Sequence, residues 1–246
     1  MISLSKEELL FMVKACQQAE KFKDMLFYVK QLILQTSEPN IEERNLFSLS
    51  FRLNVSENRI SWRVACSLEQ KDLTQGHPNA HLIVQQRKII EAELKELCYD
   101  CLDFVKNNLL KSSHTAHSRV FFNRMRGDYY RYLADCVNGD EKLEVMDNCV
   151  AAYEQAMEIA EAELKVTDPR RLELALSFSV FCHEILGNGA RCREIAMKGF
   201  DDAFEKIDEI DDEDYKDATA IMQLLRDNVA LWEAEEEKSE QAEQVN

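Results

Sequence analysis

The stretch Asn40-Ile-Glu-Glu-Arg-Asn-Leu-Phe-Ser-Leu-Ser-Phe-Arg52-Leu-Asn-Val-Ser-Glu-Asn-Arg59-Ile-Ser-Trp62-Arg63-Val-Ala-Cys-Ser-Leu-Glu-Gln-Lys-Asp-Leu73 decides the fold class. It contains neither glycine nor proline. Asn40 and Glu43 have the spacing of a reciprocal N-terminal cap. Nothing after them breaks a helix for about 31 residues, or ~46 Å at 1.5 Å per residue.

The same reading extends in both directions. Before this run, Ser37-Glu38-Pro39 is a turn, a helical stretch covers about Lys23 to Gln35, and Ser5 with Glu8 caps an earlier amphipathic stretch. After it, Gly76-His77-Pro78-Asn79 is a break, followed by a helical pattern from Ala80 to about Leu110. Further breaks fall at Lys111–His114, Asn138-Gly139-Asp140, Val166–Pro169, Gly187-Asn188-Gly189 and Asp208–Asp214. The last helix ends near Trp232. No segment alternates apolar and polar residues as a half-buried strand does. The expectation is an all-α fold of about nine antiparallel helices joined by short loops. It forms a single domain over 1–234, with an acidic, disordered tail over 235–246.

Composition narrows the function. Six glycines and three prolines in 246 residues favour long helices. With 46 acidic against 30 basic residues, the formal charge is −16. Such a surface repels nucleic-acid phosphates and anionic membranes, so neither is an expected partner. Any phosphate site has to be a local cationic pocket. No apolar run approaches the ~18 residues that span a bilayer, and Glu7 and Glu8 interrupt the N-terminal apolar patch as no signal peptide would. Eight scattered cysteines read as reduced thiols. The expected location is the cytoplasm, with the nucleus as a second address.

Enzyme and metal motifs are missing. There is no P-loop, HExxH, GxSxG or dinucleotide fingerprint. Cys98-Tyr-Asp-Cys101 is a lone CxxC inside a helical pattern and reads as structural. The histidines form no zinc set with the cysteines. No catalytic residue, cofactor or metal is expected.

Two arginine pairs carry a different chemistry. Arg52 and Arg59 lie two helical turns apart on one face, about 10.5 Å along the axis. The positions three and four residues from them hold no carboxylate. Arg124 and Arg131 repeat the spacing, with Asp128 between them and Tyr132 alongside. Guanidinium forks match phosphate oxygens bidentately, so three arginines and a tyrosine suit a phosphomonoester dianion. Ordinary solvated arginines give the same pattern, and at this point both readings stand. Leu176 with Val180, and Ile221, Leu224 and Leu231, form apolar stripes that ordinary core also explains. Asn228 lies within the second stripe and needs a hydrogen-bond partner there.

Several segments together resemble the 14-3-3 family. They are Glu42–Arg52 continuing through Arg59 to Ser61-Trp62-Arg63, Arg126-Gly-Asp-Tyr-Tyr-Arg-Tyr-Leu-Ala-Asp135, Leu174–Leu186, and Tyr215–Trp232. The likeness runs in order along the whole chain apart from the tail. It implies nine antiparallel helices forming one concave subunit, usually a homodimer, with an amphipathic groove for phosphoserine or phosphothreonine segments of client proteins. By position, Arg52, Arg59, Arg131 and Tyr132 would grip the phosphate, with Arg124 nearby. Asn228 would bond the ligand backbone, and Leu176, Val180, Ile221, Leu224 and Leu231 would line the apolar wall. Glu184 and Trp232 would form its polar edge.

Three departures from the family pattern matter. Arg52 replaces a usual lysine. Ser177 stands where a backbone-clamping asparagine is usual, and Ala220 where a larger aliphatic residue is usual. The resemblance also places Ala15, Ala19, Lys21, Asp24, Ser61, Gln86, Ile89 and Glu93 at a dimer interface. Lys21 and Glu93 keep one cross-pair. Asp24 faces Ile89 instead of a lysine, and Gln86 replaces a tyrosine, so a weakened or altered homodimer is expected. The implied activity is that of an adaptor that regulates signalling and not of an enzyme. The alternative is a TPR-like scaffold that binds peptides without phosphate, suggested by Ala151-Ala-Tyr-Glu-Gln-Ala156. No 34-residue repeat supports it.

Overall fold

The computed structural model describes residues 4–244, with side chains through Lys238. The described residues are all-α, with nine α-helices and no strand. They form two compact units. One is the chain up to Ser112 together with Asp135–Val137. The other is Ser113–Ala134 together with the chain from Asn138 onward.

In the first unit, α1 (Lys6–Gln18), α2 (Phe22–Leu34), α3 (Ile41–Gln75) and α4 (Ala80–Phe104) pack in chain order, each against the next. Both expected caps form. Glu8 N donates to Ser5 Oγ at 3.2 Å and Ser5 N to Glu8 at 2.7 Å. Asn40 and Glu43 reciprocate at 2.9 and 3.0 Å. Each cap satisfies amide donors that a helix start otherwise leaves orphaned. Gly76 ends α3 at φ 66°, a left-handed conformation that suits glycine. α4 runs on into one π-helical turn at Val105–Leu109 and a 3-10 turn at Leu110–Ser112. The core is built on Phe47, whose ring meets Phe51 edge-on at 5.0 Å and stacks on Phe104 at 5.3 Å. Val13, Met25, Val29, Leu94 and Cys98 are fully buried in this unit.

The second unit contains most of α5 (Ala116–Cys136), with α6 (Gly139–Glu163), α7 (Pro169–Glu184), α8 (Gly189–Phe204) and α9 (Asp212–Gln244). α7 packs between α6 and α8, and α9 packs on α7 and α8. Asp168 caps α7 by accepting from Arg170 N at 2.9 Å, with Pro169 in the first turn, where its missing N–H costs nothing. Tyr153, Leu172, Leu174, Phe178 and Phe181 form the centre of this core.

The last helix differs from expectation. It continues past Trp232 to Gln244, through the stretch that reads as a disordered tail from 235 onward. No glycine or proline follows Trp232 to stop it, and Glu, Ala, Lys and Gln are good helix formers. Side chains of α7 and α8 also hold its first turns: His183 Nε2 pairs with Glu235 at 3.4 Å, and Arg193 pairs with Glu236. Residues 245 and 246 lie outside the described residues.

All eight cysteines are free. Seven are buried and Cys66 is half-buried. Cys98 and Cys101 are both core residues, and burial pushes the Cys98 thiol far up. No helix among the described residues is long and apolar enough to cross a membrane.

Candidate functional site

Helix α5 presents Arg124, Asp128 and Arg131 at four- and seven-residue spacing, so they share a face. The network around them lies within the second unit. Arg124 pairs with Asp128 at 3.4 Å and with Glu173 of α7 at 3.2 Å. Arg131 Nη1 reaches Glu184 of α7 at 3.2 Å, and its guanidinium lies over the Tyr132 ring, 5.0 Å from the centroid. Asp128 is itself fixed from below, where the Tyr153 hydroxyl donates to it at 2.7 Å. Tyr153 is fully buried, and its ring lies against Gly127. A Cβ on that residue would come within 2.5 Å of the ring.

Electrostatics follow from that packing. Burial alone would discourage charge on Arg131. The carboxylates of Asp128 and Glu184 outweigh it and raise its pKa. Arg124 follows the same logic, with Asp128 and Glu173 overcoming burial. Burial, reinforced by Asp128, raises Tyr153 well above its ordinary value, so it remains a neutral donor. The Nε of Arg131 is buried and donates to no acceptor. A charged donor left unpaired under a protein surface is costly.

The residues expected to form an apolar wall lie on α7 and α9. Leu176, Ser177 and Val180 are half-buried, with Leu176 and Val180 packed on the core. Leu224 and Leu231 are 50% and 55% exposed, and the half-buried Asn228 lies between them. Ala220 is exposed. Ile221 and Trp232 belong to the core, only 8% and 5% exposed. They therefore pack inward, whereas the sequence reading has Ile221 lining the wall and Trp232 at its polar edge. Trp232 stacks on His183 with ring centroids 4.9 Å apart. Glu184 is exposed and held by Arg131.

Arg52 and Arg59 lie in the first unit, on α3. Arg59 is mostly buried and pairs with Asp135 at 2.8 Å, and Arg63 reaches the same carboxylate at 4.0 Å. Arg52 is exposed and makes no ion pair among the described residues. The missing carboxylates around Arg59 on its own helix are thus supplied from the end of α5, a long-range partner that local spacing does not reveal.

The expected interface residues are mostly on the surface of the first unit. Ala15 is half-buried, and Ala19, Lys21, Asp24, Ser61, Gln86, Ile89 and Glu93 are exposed. Lys21, Asp24 and Glu93 make no ion pair among the described residues. Sequence reasoning missed the apolar residues beside them. Ile60, Val64 and Leu68 form an exposed stripe on α3, and Leu82 joins Ile89 on α4. It also missed Glu173 and Tyr153 as supports of the arginines, because both come from other helices. Only the i, i+4 spacing of Arg124 and Asp128 pointed to any part of that network.

A family model for the 14-3-3 protein matches residues 12–233. Among relatives, 14-3-3 protein 3 of Entamoeba histolytica is 42% identical over 229 residues, covering 93% of this chain and 95% of its own. The checkpoint signal transducer rad25 of Schizosaccharomyces pombe is 40% identical over 244 residues, covering 99% and 90%. The 14-3-3-like protein B of Hordeum vulgare is 42% identical over 232 residues, covering 93% and 88%. The chain belongs to the 14-3-3 family. That membership supports a general role as a phosphoprotein-binding adaptor.

Proposed function

We propose that the chain binds phosphoserine- and phosphothreonine-containing segments of client proteins, and that Arg52, Arg59, Arg131 and Tyr132 grip the phosphate. The observation that carries this reading is Arg131. It is kept charged and held in place by Glu184, with 16% of its side chain left open to solvent. A phosphate oxygen meeting the open part of the guanidinium gains a charge-assisted bond, the strong kind. Arg124 lies nearby on the same helix face, its charge met by Asp128 and Glu173. The exposed Leu224 and Leu231 offer an apolar wall to the ligand's side chains, and Asn228 between them meets its backbone. Ser177 and Ala220 make that wall shorter in reach than is usual in the family. The chain acts by holding its client and performs no chemistry on it.

The homodimer is part of the same reading. The exposed stripe of Ile60, Val64 and Leu68, with Leu82 and Ile89, is the kind of apolar patch that a second copy covers. The unpaired Lys21 and Glu93 are available to pair across the interface.

The test is fluorescence anisotropy of a labelled peptide with arginine three residues before a phosphoserine, beside its unphosphorylated twin. Binding of the phosphopeptide alone, lost in Arg131→Glu, supports the proposal. Equal binding of the two peptides, unaffected by Arg131→Glu, would favour the phosphate-independent scaffold instead.

A further inference from the structure

Side chains of α7 and α8 tie down the end of α9. His183, in the last turn of α7, stacks on Trp232 with ring centroids 4.9 Å apart and ring planes 17° from parallel. Its Nε2 also meets the Glu235 carboxylate at 3.4 Å. Arg193 of α8 pairs with Glu236, which holds the Glu236 carboxyl below its ordinary range. Gly189, the first residue of α8, makes room for that pair. A Cβ on it would run into a carboxylate oxygen of Glu236. The φ of Gly189 is not positive, so the close approach of Glu236, and not the backbone, is what calls for glycine here.

These contacts lie one turn beyond the proposed wall. Leu224, Asn228 and Leu231 follow one another on α9 at four- and three-residue spacing, and Glu235 comes four residues after Leu231, so they share a face. Trp232 is the last buried residue of α9 among those described, and the two ion pairs follow directly after it. A helix end frays unless something holds it. The neighbour of His183, Glu184, reaches the other way, to Arg131 of α5 at 3.2 Å. The last turn of α7 thus holds the arginine with one residue and the end of α9 with the residue before it.

We propose that His183, Gly189 and Arg193 are positioning residues for ligand binding: by clasping the end of α9 they fix where Leu231 stands, and so how firmly the chain holds the flank of the ligand that runs past it. The inference rests on the phosphate-binding reading and deepens it, by assigning one flank of the ligand to an adjustable end of the wall. Surface ion pairs are individually weak. The clasp therefore tunes the end of α9 without carrying the core, where Leu225, Val229 and Trp232 stay buried.

The experiment measures the anisotropy of three labelled peptides on the full chain: a phosphoserine peptide with flanks on both sides, and two truncations that each lack one flank. The variants are Arg193→Ala and Gly189→Ala. The second displaces Glu236 while leaving Arg193 in place, and alanine is the better helix former within α8. Hydrogen exchange is expected to show the amides at 235–238 losing protection in both variants. Both are expected to bind the full peptide about fourfold more weakly, the worth of one methylene group losing its contact. One truncation is weakened to the same degree and the other is unaffected, because only one flank passes Leu231. A general loosening of the fold would weaken both truncations alike, and that result overturns the proposal. So do unchanged protection at 235–238 and unchanged affinity for the full peptide. If the unaltered chain binds the phosphopeptide no better than its unphosphorylated twin, the phosphate reading fails and the proposal falls with it.

Discussion

At the scale of single residues, the proposed site consists of arginines held by acids, one of which, Asp128, is held in turn by a buried phenol. Tyr153→Phe removes the hydroxyl that donates to Asp128. Losing one such bond is expected to weaken phosphopeptide binding by about two- to tenfold, with the unphosphorylated twin unaffected. Anisotropy on the two peptides checks it. Gly127→Ala acts on the same ring from the other side. Its new Cβ has no room against a phenol that is fully buried, so it is expected to destabilise by about 1–3 kcal/mol, seen as a lowered Tm. Ser177→Asn restores a longer amide reach on α7 and is expected to tighten phosphopeptide binding about three- to tenfold. The arginines themselves were legible from their seven-residue spacing and from the family likeness. Tyr153, Glu173 and Asp135 were not, because each meets its arginine from a distant part of the chain, and no local pattern encodes such a meeting.

At the scale of elements, punctuation was readable almost everywhere. The caps at Ser5 and Asn40 and the breaks at Gly76 and Val166–Pro169 fall where the residue types place them. The end of α9 was the exception. Its acidic composition suggested disorder, but a helix needs only the absence of a breaker and something to hold it, and His183 and Arg193 provide the hold. That hold has a pH dependence with a definite sign. The hydrogen bond from Arg193 lowers the pKa of Glu236 from its ordinary 4.5. A carboxyl depressed in the folded state contributes stability above its unfolded pKa and loses it as pH falls through the folded value. The protection of the amides at residues 235–238, taken relative to the intrinsic exchange rate at each pH, is therefore expected to be steady near neutrality and to fall below about pH 4.5, ahead of the core. Arg193→Ala removes the difference.

At the scale of the whole molecule, a charge of −16 surrounds the few cations that the proposed function uses. Long-range repulsion and short-range attraction then act on the same ligand. The Debye length falls from ~30 Å at 0.01 M salt to ~8 Å at 0.15 M, so salt removes the repulsion first. For a phosphopeptide of net negative charge, the association rate is expected to rise over that range, while a peptide with net positive charge slows; stopped-flow traces distinguish the two. The all-α class was plain from the scarcity of glycine and proline. The exposed α3 stripe of Ile60, Val64 and Leu68 was not read, because apolar residues at helical spacing look the same in sequence whether they face a core or a partner.

The cysteines give the folded molecule a built-in gauge. Seven thiols are sealed in the two cores, and only Cys66 is partly open to solvent. Even there, burial raises the pKa and keeps the reactive thiolate scarce. A maleimide added to the native protein therefore has one slow point of attachment, whereas a fully opened chain offers eight. The mass of the adducts, counted one label at a time, reports how far each molecule in a population has come undone, and a dye placed at Cys66 marks a single known position on α3.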